Sequence, residues 1–143
     1  MTVAIDTNII SSLWSGLPAF STLARLSLQR AGQRDALVIA PVVYAELAAA
    51  PGRELAAVDT FLRDASIDVD WNLDRAVWRL AALAYRDYGE RRRRDRGSAA
   101  PRRLLADFVI GAHAAQMADA LLTFDRRIYR AAFPSLAIIS PDD

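Results

Sequence analysis

Five short, almost wholly apolar runs recur along this chain, each separated from the next by residues with helical spacing. They are Val3-Ala4-Ile5, Ala36-Leu37-Val38-Ile39-Ala40, Ile67-Asp68-Val69, Ala120-Leu121-Leu122-Thr123 and Leu136-Ala137-Ile138-Ile139. Runs this short and apolar read as strands, the first two of them buried. Buried strands that alternate with helices call for crossover connections, which build a parallel sheet covered on each side. The expected fold is α/β: a three-layer α/β/α sandwich with a central parallel sheet of about five strands.

The helical segments are legible between those runs. Residues 8 to 31 read as two helices in sequence, because Pro18 follows Gly16 and suits a first helical turn. Pro41 opens the next helix, which carries Val43, Glu46 and Leu47 and stops before Pro51-Gly52. A further helix covers residues 54 to 63. The longest pattern runs from residue 73 to 94, with Val77, Leu80, Ala81, Ala84 and Tyr88 on its apolar face. Gly97, Ser98 and Pro101 mark a loop, residues 103 to 117 are helical again, and residues 126 to 133 form a last short helix. No repeat or linker interrupts the 143 residues, so one domain over 1–143 is expected. A chain of that length buries roughly 70% of its unfolded surface without disulfides or a structural metal.

Composition excludes several chemistries. With no cysteine, thiolate metal sites, disulfides and cysteine nucleophiles are absent. All 18 basic residues are arginine, so a mechanism that needs lysine is ruled out, while bidentate contact with phosphate is favoured. Net charge is +1, but Arg91, Arg92, Arg93, Arg94, Arg96, Arg102 and Arg103 crowd one stretch. The N-terminus lacks a signal-peptide pattern, and no apolar stretch spans a bilayer. A soluble, cytoplasmic protein is expected, with no membrane partner.

Four acids placed after strands or on adjoining helices could meet at one edge of the sheet, beyond the carboxyl ends of its strands, where parallel sheets bind ligands. Asp6 follows the first strand directly, ahead of Thr7 and Asn8. Glu46 is embedded among Val42, Val43, Tyr44, Ala45 and Leu47. Asp107 lies in an apolar helix with Phe108, Val109 and Ile110, and Asp125 follows the fourth strand. Each alone has an ordinary explanation: helix capping for Asp6 and Asp125, a solvated helix face for Glu46, and the helix macrodipole for Asp107. Together they would repel one another unless a cation neutralised them. Hard oxygen ligands without cysteine or clustered histidine select Mg²⁺ or Mn²⁺. Gly111, one turn after Asp107, leaves space for a ligand or for close packing. His113 falls on a different face from Asp107 and suits a structural or surface role. Trp14, Trp71 and Trp78 suit a core or a partner interface better than base stacking. Ile10, Leu13, Trp14, Leu17 and Phe20 suit either core packing or a partner contact.

These segments in this order resemble PIN-domain ribonucleases, and most closely the VapC-type toxins of toxin–antitoxin pairs. The resemblance rests on Asp6-Thr7-Asn8, on Glu46 within Val-Tyr-Ala-Glu-Leu, on Asp107 within Asp-Phe-Val-Ile-Gly-Ala-His-Ala, and on Thr123-Phe124-Asp125. It implies that Asp6, Glu46, Asp107 and Asp125 are catalytic and bind Mg²⁺ or Mn²⁺, supported by Asn8 and Thr123. It also implies hydrolysis of RNA phosphodiesters to a 5′-phosphate and a 3′-hydroxyl, a homodimer, and inhibition by a VapB-type antitoxin. Arg92, Arg93, Arg94, Arg102 and Arg103 are candidate RNA contacts, against the plainer reading of a solvated helix end and loop. The alternative is a non-catalytic PIN-like module that binds RNA or protein. A haloacid-dehalogenase-like phosphatase fits less well, because Asn8 stands where it needs a second Asp and no lysine is present. A receiver domain and a P-loop NTPase also lack their lysine.

Overall fold

The structure, a computed structural model, describes residues 1–95 and 104–142. Its elements run β1 (Thr2–Ile5), α1 (Thr7–Trp14), α2 (Pro18–Arg34), β2 (Ala36–Ile39), α3 (Pro41–Ala48) and α4 (Leu55–Asp64). They continue through β3 (Ile67–Val69), α5 (Arg75–Arg94), α6 (Leu105–Met117), β4 (Ala120–Leu122), α7 (Arg126–Ala132) and β5 (Ala137–Ile139). The loop expected at Gly97, Ser98 and Pro101 lies outside the described residues, as do Arg102 and Arg103.

Local chemistry accounts for the boundaries. Pro18 and Pro41 each stand in the first turn of their helix, where a missing N–H costs nothing. Gly16, between α1 and α2, has a φ of 73°, a left-handed turn that glycine adopts without strain. Asp74 caps α5, its Oδ1 accepting from the Val77 N–H at 3.2 Å. Asp35 binds back to α2 through its N–H, which donates to the Ala31 carbonyl at 2.8 Å, and leads straight into β2.

The five strands pair in the order β3-β2-β1-β4-β5, all parallel. From β1 the chain steps outward through β2 to β3, then crosses to the other side of β1 for β4 and β5. Right-handed crossovers place the connections before and after that reversal on opposite faces, which yields the three layers. The reversal makes the gap between β1 and β4 a topological switch point. There, Ile5 is level with Leu122, so Asp6 and Thr123 leave the sheet side by side.

The core is continuous across the sheet. Val3, Ile5, Ile39, Leu121 and Leu122 are buried, as are Ile9, Val43, Val58 and Val77 from the helices. Ile10 belongs to this core, Leu13 and Trp14 pack against it, and Leu17 and Phe20 remain exposed. The early apolar face is therefore part core and part surface. Helix α6 is the most enclosed, with every residue from Phe108 to Ala114 buried. His113 sits there as a structural residue rather than a surface one. Its Nε2 donates to Asp70 Oδ2 at 2.7 Å and ties α6 to the end of β3.

Gly111 is explained by close packing rather than by open space. A Cβ placed on it would sit well inside van der Waals contact with three atoms of the Phe133 ring. Gly111→Ala should therefore overpack the α6–α7 junction and destabilise the fold by about 1–3 kcal/mol in a urea titration. Combining it with Phe133→Leu should recover part of that loss; equal destabilisation in the double variant would show that the ring is not the obstacle.

Candidate active site

Asp6 occupies the N-cap position of α1 but makes no side-chain capping bond. Its backbone N–H continues the sheet by donating to the Leu122 carbonyl at 3.0 Å. The side chain is buried, and its Oδ2 accepts from Thr123 Oγ1 at 2.8 Å. Capping therefore does not account for this carboxylate; the strand register delivers it to the β1–β4 gap.

Thr123 is the hub of the gap. Fully buried, its Oγ1 donates to Asp6 and accepts from the Asn8 amide at 3.2 Å and from the Asp125 N–H at 2.9 Å. Asn8 also accepts from the Phe124 N–H at 3.2 Å, so the first helix is tied to the loop after β4 from both ends of one amide. Asp125, in the N-cap position of α7, makes no side-chain capping bond either. Its position follows from the bond that its own backbone makes to Thr123.

Glu46 comes from the middle of α3 and is half-buried. Its Oε1 accepts from Thr7 Oγ1 at 2.6 Å, which joins α3 to the start of α1. Asp107 stands in the first turn of α6, also half-buried, where the helix N-terminus favours a negative charge. Thr7 was missed by sequence reasoning, which named it only as the neighbour of Asp6.

Tyr129 was missed as well. Burial and the charges of Asp6, Asp107 and Asp125 push its phenol well above the usual tyrosine range. Its side chain is buried, and its hydroxyl has no partner at hydrogen-bond geometry among the described residues. It follows Asp125 by one helical turn, a spacing that could have flagged it beneath the acid.

Burial pushes the Asp6 carboxyl up to about 6, with the charges of Asp107 and Glu46 adding to the rise. The hydroxyls of Thr123 and Tyr129 act the other way, but only Thr123 meets hydrogen-bond geometry. Asp6 thus feels Asp107 and Glu46, and Tyr129 feels Asp6, Asp107 and Asp125. Among the described residues no three such side chains stand in an arrangement that holds one ion. The donor chemistry nevertheless fits a hard divalent cation: oxygen ligands only, a carboxylate raised by burial and by its like-charged neighbours, and an unsatisfied phenol near them. A hollow of about 740 Å³ between α2 and the end of β5 contains none of the four acids.

The candidate nucleic-acid contacts divide in the same way. Arg92, Arg93 and Arg94 end α5, and Arg92 lies over the Tyr88 ring at 6.0 Å. Tyr88 in turn packs on Phe108, the residue after Asp107, with ring centroids 5.2 Å apart. The arginine end of α5 is therefore beside the first turn of α6.

An acid whose pKa rises on folding takes up protons more readily in the folded state. In metal-free protein the contribution of Asp6 should hence be most favourable below about pH 4 and be lost as pH rises through about 6. Asp6→Asn should remove that loss and raise unfolding stability at neutral pH by on the order of 2 kcal/mol. Denaturant midpoints at pH 4 and 7 without metal check this, and an equal or lower midpoint for the variant at pH 7 would contradict it.

The PIN domain family model matches residues 3–134. No curated protein matches the sequence significantly. Among solved structures, VapBC2 from Rickettsia felis, bound to a DNA fragment from their promoter, overlays with a TM-score of 0.65 at 17% identity, covering 98% of each chain. VapBC-1 from nontypeable Haemophilus influenzae gives 0.66 at 20% identity over 100% of both chains. FitAcB from Neisseria gonorrhoeae gives 0.60 at 21% identity over 97% of both. At these identities the likeness carries the fold. With a family model spanning nearly the whole chain and a five-stranded parallel sheet in the matching architecture, this chain belongs to the PIN-domain family.

Proposed function

We propose that this protein is a metal-dependent endoribonuclease and the toxin of a VapBC-type toxin–antitoxin pair. The observation that carries this reading is Asp6: a carboxylate at the switch point, held by Thr123 and raised first by its burial and then by the charges of Asp107 and Glu46. Membership of a family of typical nucleases supports the reaction class, and the VapBC and FitAB complexes among the structural neighbours support an antitoxin partner. The same reading expects a homodimer. No helix among the described residues is long and apolar enough to cross a membrane.

Asp6, Glu46, Asp107 and Asp125 would hold Mg²⁺ or Mn²⁺, which when bound polarises a phosphodiester oxygen and lowers the pKa of water. The chain's own residues prepare that position. Thr123 orients Asp6, Thr7 orients Glu46, and Asn8 clamps the loop carrying Phe124 and Asp125 against α1. Asp6 and Tyr129 are both buried, so this carboxylate sits in a poorly solvated setting, where its interaction with positive charge is strengthened.

The RNA backbone fits the end of α5. Tyr85, Tyr88, Gly89, Arg92 and Arg93 line a hollow of about 460 Å³ there, combining flat rings with phosphate-binding forks.

Purified protein incubated with RNA should cleave it with Mg²⁺ or Mn²⁺ and stop on addition of EDTA. Asp6→Asn and Asp107→Asn should reduce cleavage to background while circular dichroism stays unchanged. Full activity in either variant, or retention of intact RNA by the wild type with metal present, would overturn the catalytic assignment. Replacing Arg92, Arg93 and Arg94 with Ala should flatten the dependence of log affinity on log salt by about 2, near 0.7 per lost phosphate contact. An unchanged slope places the RNA contact elsewhere.

A further inference from the structure

Tyr129 carries a polar atom that the fold leaves without a partner. Its side chain is buried, and among the described residues its hydroxyl meets no group at hydrogen-bond geometry. Buried hydroxyls in proteins are usually paired, and an unpaired one opposes folding. A phenylalanine ring would fill the same space with no donor to satisfy, so packing does not explain the hydroxyl. The backbone that carries it is fixed. The Phe133 N–H donates to the Tyr129 carbonyl at 2.8 Å, and the Phe133 ring is seated on Gly111, which holds the end of α7 on α6.

The hydroxyl lies among acids. Tyr129 stands one helical turn after Asp125, and the charges of Asp6, Asp107 and Asp125 all reach it. Asp107 and Asp125 are half-buried and can draw on water, whereas Asp6 is buried. Asp6 is also the one acid of the three with a polar approach to the phenol, although that approach falls short of hydrogen-bond geometry. Among the described residues, Thr123 supplies the one donor that the Asp6 side chain meets at such geometry. An ionised carboxylate accepts at about four positions. A buried donor without an acceptor therefore stands near a buried acceptor with too few donors.

We propose that Tyr129 is a positioning residue of the acid site, its hydroxyl donating to the Asp6 carboxylate alongside Thr123 when Asp6 takes up a divalent cation. Carboxylates that ligate metals are commonly held by a further hydrogen bond, which fixes their orientation and raises affinity for the ion. Thr123 comes from the end of β4 and Tyr129 from α7. Donors from two elements fix the plane of the Asp6 carboxylate, where a single donor leaves it free to turn. The hydroxyl thus serves cation retention and is not needed for folding. The inference rests on the metal site proposed above but not on RNA cleavage.

Tyr129→Phe keeps the ring and removes only the hydroxyl, and the test compares it with the wild type in the absence of RNA. Mn²⁺ affinity, read by isothermal titration calorimetry, should fall by about tenfold, the size expected for one hydrogen bond to a charged group. The near-ultraviolet difference spectrum on adding Mn²⁺ should contain a tyrosine band in the wild type and lack it in the variant. The denaturant midpoint of the metal-free variant should equal or exceed that of the wild type. A purely structural hydroxyl would do the reverse, lowering that midpoint and leaving affinity and spectrum alone. A variant that fails to fold, a lower metal-free midpoint, a persistent tyrosine band, or an affinity within about twofold of the wild type overturns the proposal. Wild-type protein that binds no Mn²⁺ removes the metal site and this role with it, whereas unchanged binding in the variant removes this role alone.

Discussion

The bond between the Thr123 hydroxyl and the Asp6 carboxylate lies at the end of two neighbouring parallel strands, and much of the molecule serves to place it. A carboxylate removed from water is unfavourable unless something compensates it. Here one threonine hydroxyl does so in part, and the carboxyl remains well above its ordinary range because burial and two nearby acids outweigh that bond. The fold therefore holds a group whose charged form it does not fully stabilise. Perturbed titration in a recess is common where a protein does chemistry, and less expected of a carboxylate that only ends a helix.

The supporting contacts come from every part of the chain. Thr7 and Asn8 reach from α1, Glu46 from α3, Asp107 from α6, and Asp125 and Tyr129 from α7 and its approach. No single element could bring these groups together, because helices and strands present neighbours only at fixed short spacings. The reversal of strand order at β1 does it, since the parallel strands β1 and β4 end side by side while the connections leaving them run towards opposite edges of the sheet. The arginine-rich end of α5 adds positive charge beside the start of α6.

Rigidity around α6 underlies that arrangement. The helix is enclosed over two turns, joined to β3 through His113 and Asp70, and pressed against α7 where Gly111 admits the Phe133 ring. Asp107 starts this helix and so inherits its position. On the outside of the same body, Trp71 and Trp78 remain exposed, with the Tyr44 ring edge-on to Trp71.

The amino-acid sequence by itself determined the α/β class, the strand runs to within a residue or so, the two proline-opened helices, and the acids at strand ends. Periodicity, β-branching and proline chemistry are local, and local rules suffice for them. It left open whether Asp6 and Asp125 cap helices, whether Gly111 leaves space for a ligand or for close packing, and whether each tryptophan lies in the core or at an outer face. Only the tertiary structure decided these, because each depends on atoms more than a hundred residues away or on another element: Thr123 for Asp6, the Phe133 ring for Gly111, Tyr44 for Trp71. Thr7 and Tyr129 were invisible for the same reason. A hydroxyl's role is set by what it faces, and strand order, which no local pattern encodes, sets what faces what.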